Sequence, residues 1–184
     1  MTRIDRLLQT WRIAKARRYL SPGMRVLDIG SEDGILFRRV KGLDPSSTGI
    51  DPRAEPTPPG ADYRLVAGFF PQDLPADTPP FGAITMLAVL EHFPEAAYAA
   101  LGAGCARLLQ PGGWVLITVP SVAVDHLLVV LKTLRLVHAT TLDEHHGYDV
   151  RRTAGIFAPP AFELVRHERF QLGLNNFFAF RRLP

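Results

Sequence analysis

Apolar residues along the chain recur first at helical spacing and then in short strand-like runs, a pattern that predicts an α/β protein. Residues 1–20 are expected to form an amphipathic helix with a basic outer face, because apolar side chains recur there every three or four positions, at Ile4, Leu7, Leu8, Trp11 and Ala14. Short apolar runs bounded by turn residues then predict five strands, over residues 24–29, 48–51, 62–66, 83–89 and 114–119.

Helical patterns separate some of these strands but not all of them. A short helix is expected directly after Gly34, an alanine-rich helix over 94–109, and an apolar helix over 122–137 followed by a polar loop over 140–153. Proline-rich stretches, 52–60 and 71–80, leave little room for a helix on either side of strand three. Both crossovers around that strand are therefore predicted to be trimmed to loops.

The C-terminal pattern predicts a hairpin over residues 162–170 and 174–180. Its connection, Gln171-Leu172-Gly173, contains a glycine and has the length typical of an antiparallel pair. We therefore predict one domain, residues 1–184, with a Rossmann-like α/β fold. The expected sheet has seven strands, is mostly parallel, ends in the antiparallel hairpin and carries helices on both faces.

Charge is distributed unevenly along the chain, although the formal net charge is only +3. Residues 1–18 carry six Lys/Arg against one acid, and residues 150–184 carry six Arg against two acids. Residues 19–149 carry nine basic against fifteen acidic side chains. An acidic middle disfavours a nucleic-acid groove and favours a ligand that carries positive charge.

Cysteine usage and hydropathy indicate a cytoplasmic protein. Cys105 is the one cysteine, so no internal disulfide can form, and its place on the apolar side of a predicted helix indicates a core residue. No apolar run typical of a signal peptide follows the N-terminal basic residues, and charged residues interrupt the segment 122–137. No transmembrane segment is therefore expected.

The stretch VLDIGSEDG, residues 26–34, places a glycine-marked turn at the end of strand one. Ligands of open α/β sheets bind at the carboxyl ends of the strands, where the strand order reverses. Asp51 ends strand two, 21 residues beyond Gly30, which is the position of an acid that binds ribose hydroxyls in nucleotide cofactors. Loop and acid together predict a cofactor site.

Two classes of cofactor fit this arrangement, and the loop favours one of them. A dinucleotide site needs G-x-G-x-x-G, which is absent, and Glu32 and Asp33 would face its negatively charged pyrophosphate. A nicotinamide-dependent oxidoreductase is therefore disfavoured. Acids around the loop suit a cofactor whose amino-acid end is part cationic.

Several motifs together resemble those of the class I S-adenosylmethionine-dependent methyltransferases, of the small methyltransferase-domain type. Asp28, Gly30 and Gly34 match the family's D-x-G-x-G-x-G loop, with Glu32 at the middle glycine. The stretch FGAITMLAVLEHFPE resembles the family's fourth strand, with Gly82 in place of an Asp, and LLQPGGWVLITVPS resembles its fifth. The resemblance covers residues 14–121 well and 160–182 at the level of the fold.

This resemblance implies S-adenosylmethionine as the cofactor and assigns residues to it. Asp28 would serve the ammonium side, Asp51 the ribose, and the segment after strand three the adenine, while Asp28 and Asp51 also have simpler interpretations as turn-capping acids. The full set of cofactor-binding residues that we predict is Asp28, Gly30, Ser31, Gly34, Asp51, Pro52, Gly68, Phe69, Leu87 and Ala88.

Candidate catalytic residues lie after strand four and in the segment 122–153, where the resemblance implies acceptor recognition. His92 has the right chemistry for a general base beside Glu91, and the alternative is that both cap a helix and wall the pocket. His145 and His146 are substrate-side candidates. Their acidic neighbours could hold a metal, but solvent-facing histidines are commoner and no metal is predicted.

The expected partner is a small-molecule or lipid-linked methyl acceptor, with the chain a monomer or homodimer. The Asn/Asp-Pro-Pro-aromatic tetrad of nucleic-acid amino-methyltransferases is missing after strand four, so no nucleic acid is expected. The basic N-terminal helix leaves peripheral membrane contact open. A non-catalytic binding or partner protein of the same fold stays as the alternative, because Glu32, Gly82 and the trimmed crossovers depart from the family pattern.

Overall fold

The computed structural model describes residues 3–121 and 148–184, and these residues form an α/β sandwich. The helices are α1 (Arg3–Arg17), α2 (Ile35–Arg39), α3 (Tyr98–Leu108) and α4 (Arg151–Ile156). The strands are β1 (Val26–Ile29), β2 (Thr48–Asp51), β3 (Arg64–Ala67), β4 (Phe81–Leu87), β5 (Leu109–Pro120), β6 (Phe162–Phe170) and β7 (Asn175–Arg182).

A single seven-stranded sheet with the order β3-β2-β1-β4-β5-β7-β6 organises the described residues. Neighbouring strands from β3 to β5 are parallel, whereas β7 is antiparallel to both β5 and β6. Strand order therefore reverses between β1 and β4, and the carboxyl ends of β1, β2 and β4 meet at one edge of the sheet. The predicted fold class is confirmed.

Helices cover both faces of the sheet, as the apolar pattern predicts. On one face, Ile13 of α1 and Leu36 and Phe37 of α2 are buried with Val26 and Ala83. The opposite face buries the apolar side of α3, including Cys105, against the other side chains of the same strands. Cys105 is core, as expected, and burial raises the pKa of its thiol well above the ordinary value.

Both crossovers around β3 are loops, as the prolines predict. In the fully described stretch 52–80, no helix forms between β2 and β3 or between β3 and β4. β3 itself lies two residues later than predicted at its start and runs to Ala67. Because both connections to β3 are loops, they add no helix to that end of the sheet. They keep the ends of β2 and β3 close to the glycine turn, where the Glu55 N–H donates a hydrogen bond to the Glu32 carbonyl.

Strand five differs from its prediction because the turn before it is part of the strand. β5 begins at Leu109, which pairs with Phe81, and the next paired residue is Trp114, opposite Ala83. Residues 110–113 therefore bulge out of the ladder between two paired ends. The Pro-Gly-Gly sequence bends the chain there without ending its pairing with β4.

Two predicted boundaries of helices and loops are wrong. The helix expected over 94–109 begins only at Tyr98, after short 3₁₀ turns at Leu90–His92 and Glu95–Ala97. The loop expected over 140–153 gives way to α4 at Arg151, where the Asp149 carboxylate accepts a hydrogen bond from the Arg151 N–H at 3.0 Å. This local turn just before the helix, in which a side chain bonds the backbone two residues on, leaves no periodic signal in the sequence. The apolar helix expected over 122–137 lies outside the described residues.

In the described part of the chain, no helix combines the length and the apolar character needed to cross a membrane. The cytoplasmic location expected from the sequence stays a prediction, as does the division of the chain into one domain with a terminal helix and an insertion.

Candidate functional site

The glycine turn after β1 lies where the strand order reverses, and its backbone conformation requires glycine at its start. Gly30 has a φ of 79° and donates its N–H to the Ile50 carbonyl at 2.8 Å. A Cβ at Gly30 would stand 2.2 Å from a methyl of Val89, so a side chain there is excluded by contact as well as by conformation. The turn closes with the Gly34 N–H donating to the Ser31 carbonyl at 2.7 Å.

Glu32 occupies the apex of this turn with a φ of 39°, in the left-handed region that favours glycine. Its side chain is exposed, and its carbonyl accepts a hydrogen bond from the Glu55 N–H at 3.0 Å. The turn thus keeps a glycine-like backbone path despite the side chain. At this position the chain therefore differs from the family pattern in its side chain, whereas its backbone follows the path of a glycine.

Asp28 is a buried carboxylate on the face of the sheet that α1 covers. Its cross-strand neighbour Thr85 donates a hydrogen bond from Oγ1 to Asp28 Oδ1 at 2.5 Å. Burial raises the pKa of Asp28 to about 7, the Thr85 hydrogen bond opposes this rise, and the charges of Asp51 and Asp33 add to it. A cation placed beside Asp28 would relieve this unfavourable burial of negative charge.

A cavity of about 350 Å³ opens between α1 and the glycine turn, within the size range of small-molecule sites. It is polar and apolar in comparable measure, and helix α1 forms one wall of it. Its lining comprises Asp5, Leu8, Gln9, Arg12, Ile13, Asp28, Gly30, Ser31, Glu32, Asp33, Ile35, Leu36 and Leu87.

Arg12 brings the opposite charge into the same cavity. Its Nε is buried and has no hydrogen-bond partner among the described residues. Burial lowers the pKa of Arg12, while the negative charges of Glu91 and Asp5 oppose that shift. The guanidinium is therefore held near acids, with one donor available to a ligand.

Glu91, in the 3₁₀ turn after β4, is one of the two acids whose charge acts on the Arg12 guanidinium. Burial raises the pKa of Glu91 to about 7, whereas a backbone hydrogen bond and the charge of Arg12 act to lower it. Its Oε2 also has no hydrogen-bond partner within the described chain. The structure thus groups Asp28, Arg12 and Glu91 around one edge of the sheet.

The second predicted acid, Asp51, is half-buried at the end of β2, next to the end of β3. Its Oδ1 accepts a hydrogen bond from the Arg53 N–H at 2.6 Å, and its carbonyl accepts one from the Gly68 N–H at 3.1 Å. Pro52 and Phe69 are exposed beside it, Phe69 by 65%. The turn-capping interpretation of Asp51 therefore holds, and its second carboxylate oxygen makes no hydrogen bond to the rest of the described chain.

Four of the ten predicted cofactor residues line the cavity: Asp28, Gly30, Ser31 and Leu87. The remaining six lie outside that lining. Among them, Gly34 closes the turn, Ala88 donates its N–H to Thr118 at 2.9 Å, and the other four form the neighbouring strand ends. The assignment of all ten to a cofactor stays a prediction.

The proposed catalytic residues are separated by the structure. Glu91 lies against the charged group just described, whereas His92 is exposed on the same turn. His145 and His146 lie outside the described residues. All four assignments stay predictions.

Sequence reasoning missed the contribution of α1 to the cavity. The amphipathic pattern predicts that the basic residues of this helix, Arg12 among them, lie away from its apolar stripe, but Arg12 lies four residues from both Leu8 and Ala16. That spacing places it on the inward stripe of the helix. A charged residue on an otherwise inward-facing stripe is the signal that would have identified it.

The sheet order, the reversed seventh strand and the acid-glycine turn at the switch point define the fold of the S-adenosylmethionine-dependent methyltransferases. The chain belongs to this class by sequence as well, because the family model described as "Methyltransferase domain" matches residues 3–178. The family resemblance seen in the sequence is confirmed.

One similar protein of known name is an O-methyltransferase. The ubiquinone biosynthesis O-methyltransferase of Thiobacillus denitrificans is 35% identical over 104 residues, which cover 50% of this chain and 43% of that protein. The chain thus matches less than half the length of this curated relative.

Two solved structures show the same fold. A methyltransferase from Mesorhizobium loti superposes with a TM-score of 0.70 at 17% identity, covering 95% of this chain and 100% of that one. The 1,6-didemethyltoxoflavin-N1-methyltransferase of Burkholderia thailandensis, solved with bound 1,6-didemethyltoxoflavin and S-adenosylhomocysteine, superposes with a TM-score of 0.68 at 18% identity, covering 96% of this chain and 79% of that one.

Proposed function

We propose that the protein transfers the methyl group of S-adenosylmethionine to a small-molecule or lipid-linked acceptor. Membership of the methyltransferase-domain family supports the reaction class. The observation that carries the proposal is that a buried carboxylate, Asp28, and a partly buried guanidinium, Arg12, line one cavity. Such a pair is complementary to the ammonium and carboxylate of an amino acid.

The residues present fit the amino-acid end of this cofactor. Asp28 would hold the ammonium, whose charge offsets the burial that raises the Asp28 pKa. Arg12 would hold the carboxylate by charge-assisted hydrogen bonds, using the donor that has no partner in the described chain. Ser31 Oγ is likewise buried without a described partner and adds a neutral hydrogen-bonding group to the cavity.

The remainder of the cofactor would extend toward the ends of β2 and β3. Asp51 keeps one carboxylate oxygen available for ribose hydroxyls, and Gly68 and Phe69 border the same edge. The exposed ring of Phe69 offers a flat apolar surface of the kind that packs on adenine. This arrangement is the one that the sequence resemblance implies.

When bound, S-adenosylmethionine supplies an electrophilic methyl group, so the chain needs mainly to align the acceptor and to accept its proton. His92 is our candidate for the proton acceptor, because it follows β4 at the carboxyl edge of the sheet. Glu91 is our candidate for a positioning residue that holds Arg12 through its charge.

A hydroxyl oxygen is the acceptor atom that we favour. Curated relatives from Thiobacillus denitrificans and Xanthomonas campestris are named as ubiquinone biosynthesis O-methyltransferases, which supports an oxygen acceptor. A phenol is acidic enough for a histidine to assist its deprotonation. Phenolic acceptors are therefore the first to assay.

Calorimetric titration with S-adenosylhomocysteine tests the cofactor half of the proposal. Arg12→Gln is expected to weaken binding about tenfold or more, because a charge-assisted pair is lost. Arg17→Gln, an exposed arginine on the same helix, serves as the matched control and should bind like the wild type. Absence of binding at millimolar ligand would contradict the proposal, as would equal effects of the two substitutions.

Methyl transfer to phenolic acceptors tests the catalytic half. His92→Ala should lower kcat with little change in cofactor affinity, whereas Glu91→Gln should weaken cofactor binding. Tight cofactor binding without turnover of any phenolic acceptor would favour the alternative, a non-catalytic binding protein of this fold.

A further inference from the structure

Helix α1 has a second, outward face that carries exposed apolar side chains. Leu7 and Trp11 are 52% and 46% exposed, although they are large and apolar. They lie four residues apart, so they form one patch on the helix surface, and Ala14 extends it by another turn. The inward face of the same helix is buried at Ile13 and Ala16, so its packing against the sheet does not require the outer patch.

Positive charge borders this outer patch. Arg6 and Arg17 are both exposed, and neither lies within ion-pair distance of a carboxylate in the described part of the chain. Arg39 of α2 donates a hydrogen bond to Thr10 Oγ1 and so adds a third charge beside the helix. Lys15, in contrast, is neutralised by Glu168 at 2.7 Å.

We propose that this face of α1, defined by Leu7, Trp11, Arg6 and Arg17, docks on an anionic membrane surface. Helices of this kind lie in the interface plane, with apolar side chains entering the headgroup region and arginines contacting anionic headgroups. Tryptophan is favoured at that depth, because its ring is apolar and its N–H can reach water.

Two other occupants fit the patch less well. A specific protein interface buries about 800 Å² on each partner, which two large apolar side chains do not provide. A symmetric dimer through this face would bring Arg6 and Arg17 of one copy toward the same arginines of the other. An anionic bilayer is the partner whose charge and shallow apolar boundary match both features.

Docking in this orientation places the cofactor cavity next to the membrane. Leu8, Gln9 and Arg12 of α1 line that cavity, so the helix that carries Trp11 also forms one wall of the cavity. A lipid-linked acceptor would then reach the sheet edge from the bilayer. The docking itself does not depend on the proposed function, because vesicle binding requires neither cofactor nor acceptor.

Cosedimentation with vesicles tests the inference on the full chain. The wild type should bind phosphatidylglycerol vesicles, should bind phosphatidylcholine vesicles at least tenfold more weakly, and should be released by high salt. Leu7→Ser/Trp11→Ser should weaken binding to the anionic vesicles by about tenfold or more. Arg6→Gln/Arg17→Gln should weaken it roughly thirtyfold, at about fivefold for each charge.

Leu164→Ser/Val165→Ser is the matched apolar control, because these side chains on the edge strand β6 are 43% and 49% exposed. It should bind anionic vesicles like the wild type, and circular dichroism should show that every variant is folded. Three results would overturn the inference: no wild-type binding to anionic vesicles, equal losses in the β6 control, or a dimer in sedimentation that Leu7→Ser/Trp11→Ser dissociates.

Discussion

Asp28, near the end of β1, and Glu32, in the turn that follows, are acids only four residues apart, yet the structure gives them opposite environments. Asp28 is buried against the sheet with Thr85 as its hydrogen-bond donor, whereas Glu32 is exposed at the apex. Only Asp28 therefore carries the desolvation that makes a cationic ligand favourable. Residue type alone does not separate the two, because both are acids within a few positions of the end of β1.

Replacement of Glu32 by glycine separates backbone conformation from side-chain chemistry. Because Glu32 has a φ of 39°, Glu32→Gly should keep the turn and bind S-adenosylhomocysteine as well as the wild type or a few-fold better. Glu32→Gln keeps the side chain and removes only its charge, so it serves as the control in the same titration. A tenfold loss of affinity in both variants would show that the carboxylate contacts the cofactor.

Helices α3 and α4 show how a close contact between elements depends on one missing side chain. A Cβ at Gly102 of α3 would stand 2.9 Å from the backbone carbonyl oxygen of Ile156 in α4. Gly155 of α4 has no heavy atom of the described chain within 4 Å of such a Cβ. A side chain at Gly102 would therefore crowd the backbone of a neighbouring helix, whereas no atom of the described residues outside its own helix opposes a side chain at Gly155.

Alanine at these two positions should therefore change stability in opposite directions. Gly102→Ala should lower the free energy of unfolding by about 1–3 kcal/mol, because the carbonyl of Ile156 has to move. Gly155→Ala should raise it by up to about 1 kcal/mol through better helix propensity. Urea unfolding of both variants measures this difference, and a stabilised Gly102→Ala would mean that α4 yields without cost.

The stability of the whole molecule is expected to depend on pH through its buried carboxylates. Asp28 and Glu91 have folded-state pKa values raised to about 7, so they favour the folded state most below their unfolded pKa values. That contribution is lost as the pH rises through about 7. Glu168 acts in the opposite sense, because its hydrogen bond with Lys15 lowers its pKa and stabilises the fold above the unfolded value.

Asp28→Asn isolates one part of this dependence. Between pH 5 and pH 8 the cofactor-free wild type should lose unfolding free energy as Asp28 ionises, and the variant should not lose this part. The difference in unfolding free energy between the two should therefore shift in favour of the variant by on the order of 2 kcal/mol over this range. Urea unfolding at the two pH values measures the gain, with Asp62→Asn as an exposed control. The variant should also lose cofactor affinity, and a pH-independent difference would mean that Asp28 is not held protonated.

Much of this architecture follows from the sequence because apolar periodicity and turn residues act locally. The apolar run of β4 is buried along nearly all of its length, and the closely spaced prolines of 52–60 and 71–80 leave no stretch long enough for a regular helix. The glycine turn and Asp51 were predictable for the same reason. The start of α3 and the start of α4 at Arg151 were not, since 3₁₀ turns and a single Asp side-chain turn leave no periodic signal.

By itself, the sequence determined the α/β class, the seven strands, the hairpin, the glycine turn and the family. These are set by residue order, spacing and backbone preference. Tertiary structure alone decided that Arg12 and Asp28 line the same cavity and that Leu7 and Trp11 are exposed. Those arrangements depend on which stripe of α1 packs against the sheet, and that choice is made by residues far apart in the chain.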